Sequence, residues 1–237
     1  MLKYFLDDIL TVLFVLNVLD DVVLRFIAEK SPILLYGEKG VGKTLFLLQI
    51  AYSFWLKGYR TYILGSNNTM STINNRLPRL RNIEIINNVK IYDIFSLNER
   101  IKAFKETIVE LKKIKEIHRT PICILIDDIL PADYQIDYKI RLEETIKINR
   151  ILFWLKLLQK ILNICIIITT NENIKKKLPY KASIFRHYGY SLLRIEKETR
   201  IRTIQEITIK NKNNNQIKTE NLWQATITPN GFILKPT

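Results

Sequence analysis

Glycine is scarce in this chain, with seven in 237 residues, yet three of the seven fall in the six positions from Gly37 to Gly42. The run Gly37-Glu38-Lys39-Gly40-Val41-Gly42-Lys43-Thr44 comes after a short aliphatic stretch, Ile33-Leu34-Leu35-Tyr36. It leads into a segment of helical character from Lys43 to about Lys57, which Gly58 closes in a C-cap role. Few spacings constrain a fold as tightly as Gly-x4-Gly-Lys-Thr between a strand and a helix. The glycines let backbone N–H groups turn toward one point, and the helix N-terminus adds positive potential there. A polyphosphate suits such a cradle. Lys43 would neutralise the β- and γ-phosphates and the Thr44 hydroxyl would ligate Mg²⁺. The expected ligand is ATP or GTP with Mg²⁺, held by Gly37, Glu38, Lys39, Gly40, Val41, Gly42, Lys43 and Thr44.

The rest of the chain supplies a matching framework. Aliphatic or extended runs at Arg60–Leu64, Val89–Ile94, Ile122–Ile126 and Ile164–Ile168 read as strands. Between them, Ser96-Leu97-Asn98-Glu99 forms a capping box before a helix with Ile101, Phe104, Ile108, Leu111 and Ile114 at helical spacing. A long helix is predicted over about Leu142–Leu162. Alternation of strands with helices, the strands being continuous apolar runs, predicts an α/β fold with a mainly parallel sheet covered on both faces. After residue 185 the period changes to two. Ser191–Lys197, Ile201–Lys210 and Trp223–Ile227 predict a terminal antiparallel meander, with Asn211–Asn215 as a hairpin loop. No helical lid is predicted after the fifth strand.

Two strand ends carry further chemistry. Ile122-Cys123-Ile124-Leu125-Ile126 ends in Asp127-Asp128, and a carboxylate at the end of a buried neighbouring strand is what a phosphate loop needs to steer Mg²⁺. Asp127 is the expected magnesium-side carboxylate. Asp128 is either a catalytic base, in the manner of the paired acids of some ATPases, or a polar strand end. Ile164–Ile168 ends in Thr169-Thr170-Asn171, at the sheet edge where nucleotides bind. Asn171 or Thr170 would sense the γ-phosphate there, or else cap the following loop.

Composition adds partners and compartment. Thirty-seven Lys and Arg against 23 Asp and Glu leave a net charge of +14, which points to a polyanionic partner such as nucleic acid or an acidic membrane surface. Cys123 and Cys165 each sit in an aliphatic run and read as small buried hydrophobes, with no disulfide framework or metal site, so the expected compartment is reducing and cytoplasmic. Near the start, Phe5–Leu19 is strongly apolar but is interrupted by Asp7 and Asp8 and closed by Asp20 and Asp21. The part between the acid pairs is shorter than the ~20 residues of a membrane span, and no small-residue cleavage site lies after it. Residues 1–30 are expected to form a helical segment buried against the core or a neighbouring subunit, and residues 31–237 the nucleotide-binding domain.

Taken in order, these motifs resemble the RecA family, and within it the archaeal RadA and RadB recombinases and their paralogues. The phosphate loop followed by Gln49 and Ala51, the pair Thr170-Asn171, and the closing stretches 191–197 and 225–232 carry the resemblance. It implies a RecA-like core, and it implies ATP bound near a subunit edge by a protein that assists homologous recombination or repair, with another recombinase or a second copy as partner. DNA would then bind on two loops. The second, Asn171–Tyr190, contains Lys175, Lys176, Lys177, Lys181 and Arg186 interleaved with Tyr180, Phe185, Tyr188 and Tyr190. Cations pairing phosphates and rings stacking on bases suit single-stranded DNA. A solvated basic loop with its rings in the core is the plainer alternative, and Tyr190 is expected to be core. The first loop, Pro131–Lys139, mixes Tyr134, Tyr138 and Lys139 with Asp133 and Asp137.

Departures from the family pattern matter as much. The family's catalytic glutamate comes after the second strand, where this chain reads Gly65-Ser66-Asn67-Asn68-Thr69. Without it, general-base help of ~10²–10⁴-fold is missing, so hydrolysis is expected to be weak. The family's glutamine after Thr-Asn is Glu172, a carboxylate that a γ-phosphate would repel unless it were shielded. Lys43 and Asp128 are the candidate catalytic residues, and two other classes stay open: an active DNA-dependent motor or AAA+-type ATPase that uses Asp128 as base, and a KaiC-like assembly ATPase that binds only protein partners.

Overall fold

The computed structural model describes residues 31–76, 89–91, 97–113, 121–129, 138–162, 164–173, 175–198, 201–210, 216–228 and 231–236. The expected segment 1–30, the capping Ser96, Ile114, the hairpin loop 211–215 and most of the first loop, 131–137, lie outside them.

The elements run β1 (Ile33–Gly37), α1 (Lys43–Leu56), β2 (Arg60–Gly65), α2 (Asn67–Arg76), β3 (Val89–Ile91), α3 (Leu97–Lys113), β4 (Ile122–Ile126) and α4 (Tyr138–Leu162). They continue as β5 (Cys165–Asn173), β6 (Leu178–Pro179), α5 (Ala182–His187), β7 (Ser191–Glu198), β8 (Ile201–Lys210), β9 (Gln216–Thr228) and β10 (Gly231–Pro236). The strands line up in the order β10-β9-β8-β7-β1-β5-β4-β2-β3, and β6 pairs off β5. From β7 to β3 every neighbouring pair is parallel; from β7 to β10 every pair is antiparallel. The protein is therefore α/β with a mostly parallel core sheet.

Continuous aliphatic strands are what a sheet buried on both sides requires, and the side chains divide by parity. Ile33 and Leu35 of β1, Cys123 and Leu125 of β4, and Cys165 and Ile167 of β5 pack with Phe46, Leu47 and Ile50 of α1. Leu34 and Tyr36, Ile122, Ile124 and Ile126, and Ile164, Ile166 and Ile168 pack on the other face. Phe104 and Leu111 of α3 and Ile148, Leu152 and Leu155 of α4 cover them. Each such side chain contributes ~1.5–3 kcal/mol by leaving water. Both cysteines are free and buried, and burial pushes the Cys123 thiol well above its ordinary range. Among the described residues no helix is long and apolar enough to cross a membrane.

Several sequence expectations change. The helix α4 begins at Tyr138, one turn earlier than predicted, so Tyr138 and Lys139 open a helix instead of closing a loop. β5 runs on to Asn173. β7 belongs to the parallel sheet through its pairing with β1, and antiparallel order starts only at β8. The short elements β6 and α5 stand in the expected loop 171–190, and the polar helix α2 stands where the sequence pattern predicts no element. Among the described residues, the chain after β5 is strand with one short helix, so no helical lid is found there.

The parallel register sets the site. Gly37 at the end of β1 lies beside Asn171 on β5, and Ile126 at the end of β4 lies beside Ile168. The carboxyl ends of β1, β5 and β4 thus converge, with the chain leaving β1 for β2 on one side while β7 flanks β1 on the other. Such a crevice is where open α/β sheets bind ligands.

Candidate functional site

The loop between β1 and α1 has the backbone its glycines predict. Gly42, which precedes the helix, has φ +105°, a left-handed conformation open to glycine and strained for other residues. Gly37 is required for a different reason: a Cβ there would meet the Ile195 carbonyl oxygen of β7 at 2.3 Å. The helix α1 starts with no side-chain cap and no acid in its first turn. Its leading N–H groups are thus left for an acceptor from outside the helix.

Lys43 turns back into the loop. Its ammonium donates to the carbonyl oxygens of Gly37 at 3.0 Å and Glu38 at 2.8 Å, and to Asn171 Oδ1 at 3.0 Å. Only 8% of the residue is exposed. Burial lowers its pKa below the ordinary lysine value, partly opposed by the nearby charges of Asp128 and Asp127. A buried cation of this kind gains from an anion brought beside it.

The Asp127 carboxylate is ringed by three threonine hydroxyls. It accepts from Thr44 Oγ1 at 2.9 and 3.1 Å, from Thr69 Oγ1 at 2.7 Å and from Thr169 Oγ1 at 2.7 Å. Its own N–H donates to the Leu64 carbonyl at 2.8 Å. Thr44 Oγ1 and the Asp127 carboxylate are adjacent hard-oxygen donors, the kind Mg²⁺ prefers, and the residues present fit that ion. Among the described residues no group of three or more His, Cys, Asp or Glu stands together to hold a metal. A magnesium ion at Thr44 and Asp127 would take its remaining ligands from phosphate and water, as this ion commonly does.

Asn171 joins the two halves. Its Oδ1 accepts from Lys43 and its Nδ2 donates to Asp128 Oδ2 at 3.0 Å. Asp128 is partly buried and is linked to Lys43 through Asn171. The parity of β5 explains why Asn171, and not Thr170, sits here. Thr169 and Asn171 share the α1 face with Cys165 and Ile167, whereas Thr170 and Glu172 share the opposite face with Ile166 and Ile168. The Thr170 hydroxyl is buried there without a hydrogen-bond partner among the described residues.

The same parity turns Glu172 to the opposite face from Asn171. It is shielded in a bidentate pair with Arg194, at 2.9 Å to Nη2 and 3.1 Å to Nε, with side-chain exposures of 2% and 9%. Glu196 approaches the same guanidinium at 3.1 Å. Burial works against the Arg194 charge, but the hydrogen bond and charge of Glu172 outweigh it and hold its pKa above the ordinary value. After β2, the segment that lacks an acid is filled by Thr69. Its hydroxyl accepts the Ser66 N–H at 3.1 Å while donating to Asp127, and its side chain packs where a Gly65 Cβ would otherwise lie.

The expected DNA loop is an ordered hairpin with a short helix behind it. Asn173 Oδ1 accepts from the N–H groups of Lys175 and Lys176, and its carbonyl accepts from those of Lys176 and Lys177. Tyr180 N–H donates to the Asn171 carbonyl at 3.2 Å, tying the hairpin to the crevice. Lys175, Lys176, Lys177, Tyr180 and Arg186 are exposed. Lys181 departs from the expected set, because its ammonium donates to Thr145 Oγ1 of α4. Phe185 and Tyr190 are core, edge to face at 5.5 Å.

Thr69, Thr169, Arg194 and Arg202 escaped the sequence reading. Arg202, on β8, is buried and donates from Nε to the Val41 carbonyl of the loop at 3.2 Å. Thr169 was legible from parity with Asn171; the others depend on contacts distant along the chain. Compared with known proteins, the chain matches no family model and no curated protein.

Proposed function

We propose that this chain is a RecA-like protein that binds ATP with Mg²⁺ and engages single-stranded DNA, with slow hydrolysis, in the manner of a recombinase paralogue. The observation that carries the reading is the convergence at one crevice of the uncapped α1 N-terminus, the buried Lys43 ammonium and the Thr44–Asp127 pair. In this reading the loop N–H groups and Lys43 take the β- and γ-phosphates, Thr44 and Asp127 hold the magnesium ion, and Asn171 contacts the γ-phosphate. The exposed cations Lys175, Lys176, Lys177 and Arg186, with Tyr180, would track the DNA backbone and stack on a base. Magnesium supplies charge neutralisation of the phosphates when bound.

One observation favours a faster enzyme. Asn171 holds the Asp128 carboxylate within one side chain of Lys43, so Asp128 can accept a proton from water attacking the γ-phosphorus as ADP leaves. Turnover with and without single-stranded DNA, measured for the parent and for Asp128→Ala, separates the two. The expected outcome is tight Mg²⁺-dependent ATP binding and slow turnover that is insensitive to the substitution. Brisk DNA-stimulated turnover abolished by Asp128→Ala would establish the motor reading instead, and no ATP binding would end both.

A further inference from the structure

A helix that is apolar on both sides needs cover on both. The inner side of α4 has it: Ile148, Leu152 and Leu155 are buried against the sheet. On the side turned toward α3 it carries Trp154 and Ile161, seven residues apart along one stripe and exposed by 47 and 64%. Between this stripe and α3 lies a groove of about 540 Å³. Ile101, Ile108, Leu158 and Leu162 form its floor. Three cations, Lys105, Lys147 and Arg150, line the same groove. Contiguous exposed apolar surface of this kind marks a site where another segment packs.

We propose that the groove is the docking site for residues 5–21 of this same chain. Three features select that occupant. First, the segment is apolar from Ile9 to Leu19 and bracketed by Asp7-Asp8 and Asp20-Asp21, so its charges are opposite to those of the groove. Second, the chain geometry permits it. Leu162 leads directly into β5, which is parallel and adjacent to β1, so the Ile161 end of the groove and Ser31 lie at the same end of the sheet. Residues 22–30 span up to about 30 Å at ~3.3 Å each, ample for two strand widths and one helix layer. Third, entry from that end sets the direction. Asp20 and Asp21 lie near Ile161, and Asp7 and Asp8 reach the level of Lys147 and Arg150, three to four turns further along α4 (~1.5 Å rise per residue). The groove is on the sheet face opposite α1, so docking there leaves the phosphate crevice open.

Photocross-linking of the full chain tests this, with p-benzoylphenylalanine in place of Trp154 and equal parts of ¹⁴N- and ¹⁵N-labelled protein. The expected product joins position 154 to a peptide within residues 5–21 of the same isotope. Charge reversal sharpens it: Asp7→Lys/Asp8→Lys should lower the yield several-fold, and adding Lys147→Glu/Arg150→Glu should restore it. Mixed-isotope products would assign the groove to a second copy and overturn the proposal. So would cross-links confined to other segments, or the absence of any cross-link to residues 5–21.

Discussion

The phosphate loop and the basic hairpin are neighbours across the β1–β5 register, yet they are held by different means. The loop is fixed from several sides by buried or half-buried groups. Lys43 meets three acceptors, Arg202 holds the Val41 carbonyl, and the Ile195 carbonyl leaves no room for a side chain at Gly37. The hairpin is held by its own backbone and by Asn173, while its lysines extend into solvent. Lys177 is 69% exposed and lies 3.9 Å from Glu196. A preorganised, desolvated cradle discriminates by geometry and tolerates little change. A solvated cationic tip attracts by charge, is screened by salt, and tolerates substitution.

Between these regions sits the buried cluster Glu172–Arg194–Glu196, which anchors the strand from which the hairpin leaves. Breaking it is expected to give the largest effect in the molecule. Arg194→Met would leave Glu172 buried without its partner, which costs ~3–5 kcal/mol. The loss should appear as a lower urea midpoint at unchanged slope. Glu172→Leu added to Arg194→Met should recover most of it, because a well-packed apolar pair often replaces a buried ion pair without loss. A single-variant loss below ~1 kcal/mol would mean that the cluster is solvated and anchors nothing.

How far these regions were legible in the sequence depends on how local their causes are. The phosphate loop was legible because its backbone requirements are written in consecutive residues, and β1 and β4 because burial on both faces leaves unbroken aliphatic runs. The helix α2 was not, since Asn67-Asn68-Thr69-Met70-Ser71-Thr72 has low helix propensity. Tertiary contacts hold it instead: Ile73 is buried in the α1-side core and Thr69 against Gly65 and Asp127. Glu172 was expected near a phosphate because it takes the place of the family's glutamine after Thr-Asn. Carrying the two-residue alternation on to Asn173 puts Glu172 with Ile166 and Ile168, on the face opposite Thr169 and Asn171. Its partner Arg194, 22 residues further on, is brought there by strand pairing that no local pattern encodes.

A second test asks whether the cradle is as rigid as its bonds suggest. Lys43→Met removes a charge-assisted donor worth ~1.5–3 kcal/mol, so ATP affinity by calorimetry should fall ~10- to 150-fold. The pH dependence carries a sign that distinguishes mechanism. Burial lowers the Lys43 pKa below its ordinary 10.5, so the ammonium is lost on raising the pH before a free lysine would lose it. ATP affinity should therefore decline through that window in the parent and not in Lys43→Met. Stability of the nucleotide-free protein should move the other way. The unfolded chain holds this proton more tightly than the folded one, so this residue's contribution makes stability rise with pH there. Parallel declines in affinity and stability would show that Lys43 is not the titrating group.

The hairpin should give the smallest effect and the one most dependent on conditions. Replacing Lys175, Lys176 and Lys177 by alanine should leave the thermal midpoint unchanged, because none of the three side chains is buried. Affinity for single-stranded DNA should fall at low salt and converge with the parent at high salt. Each lysine that neutralises a phosphate contributes ~0.7 to the slope of log affinity against log salt, so the slope should shrink by up to ~2 when all three are removed. Tyr180→Ala should differ in kind, weakening binding at every salt concentration with the slope intact, because stacking releases no counterions. Should the lysine variant lose affinity with an unchanged slope, the tip would be acting by shape instead of charge, and the contrast with the phosphate cradle would fail at the point where it is most exposed to test.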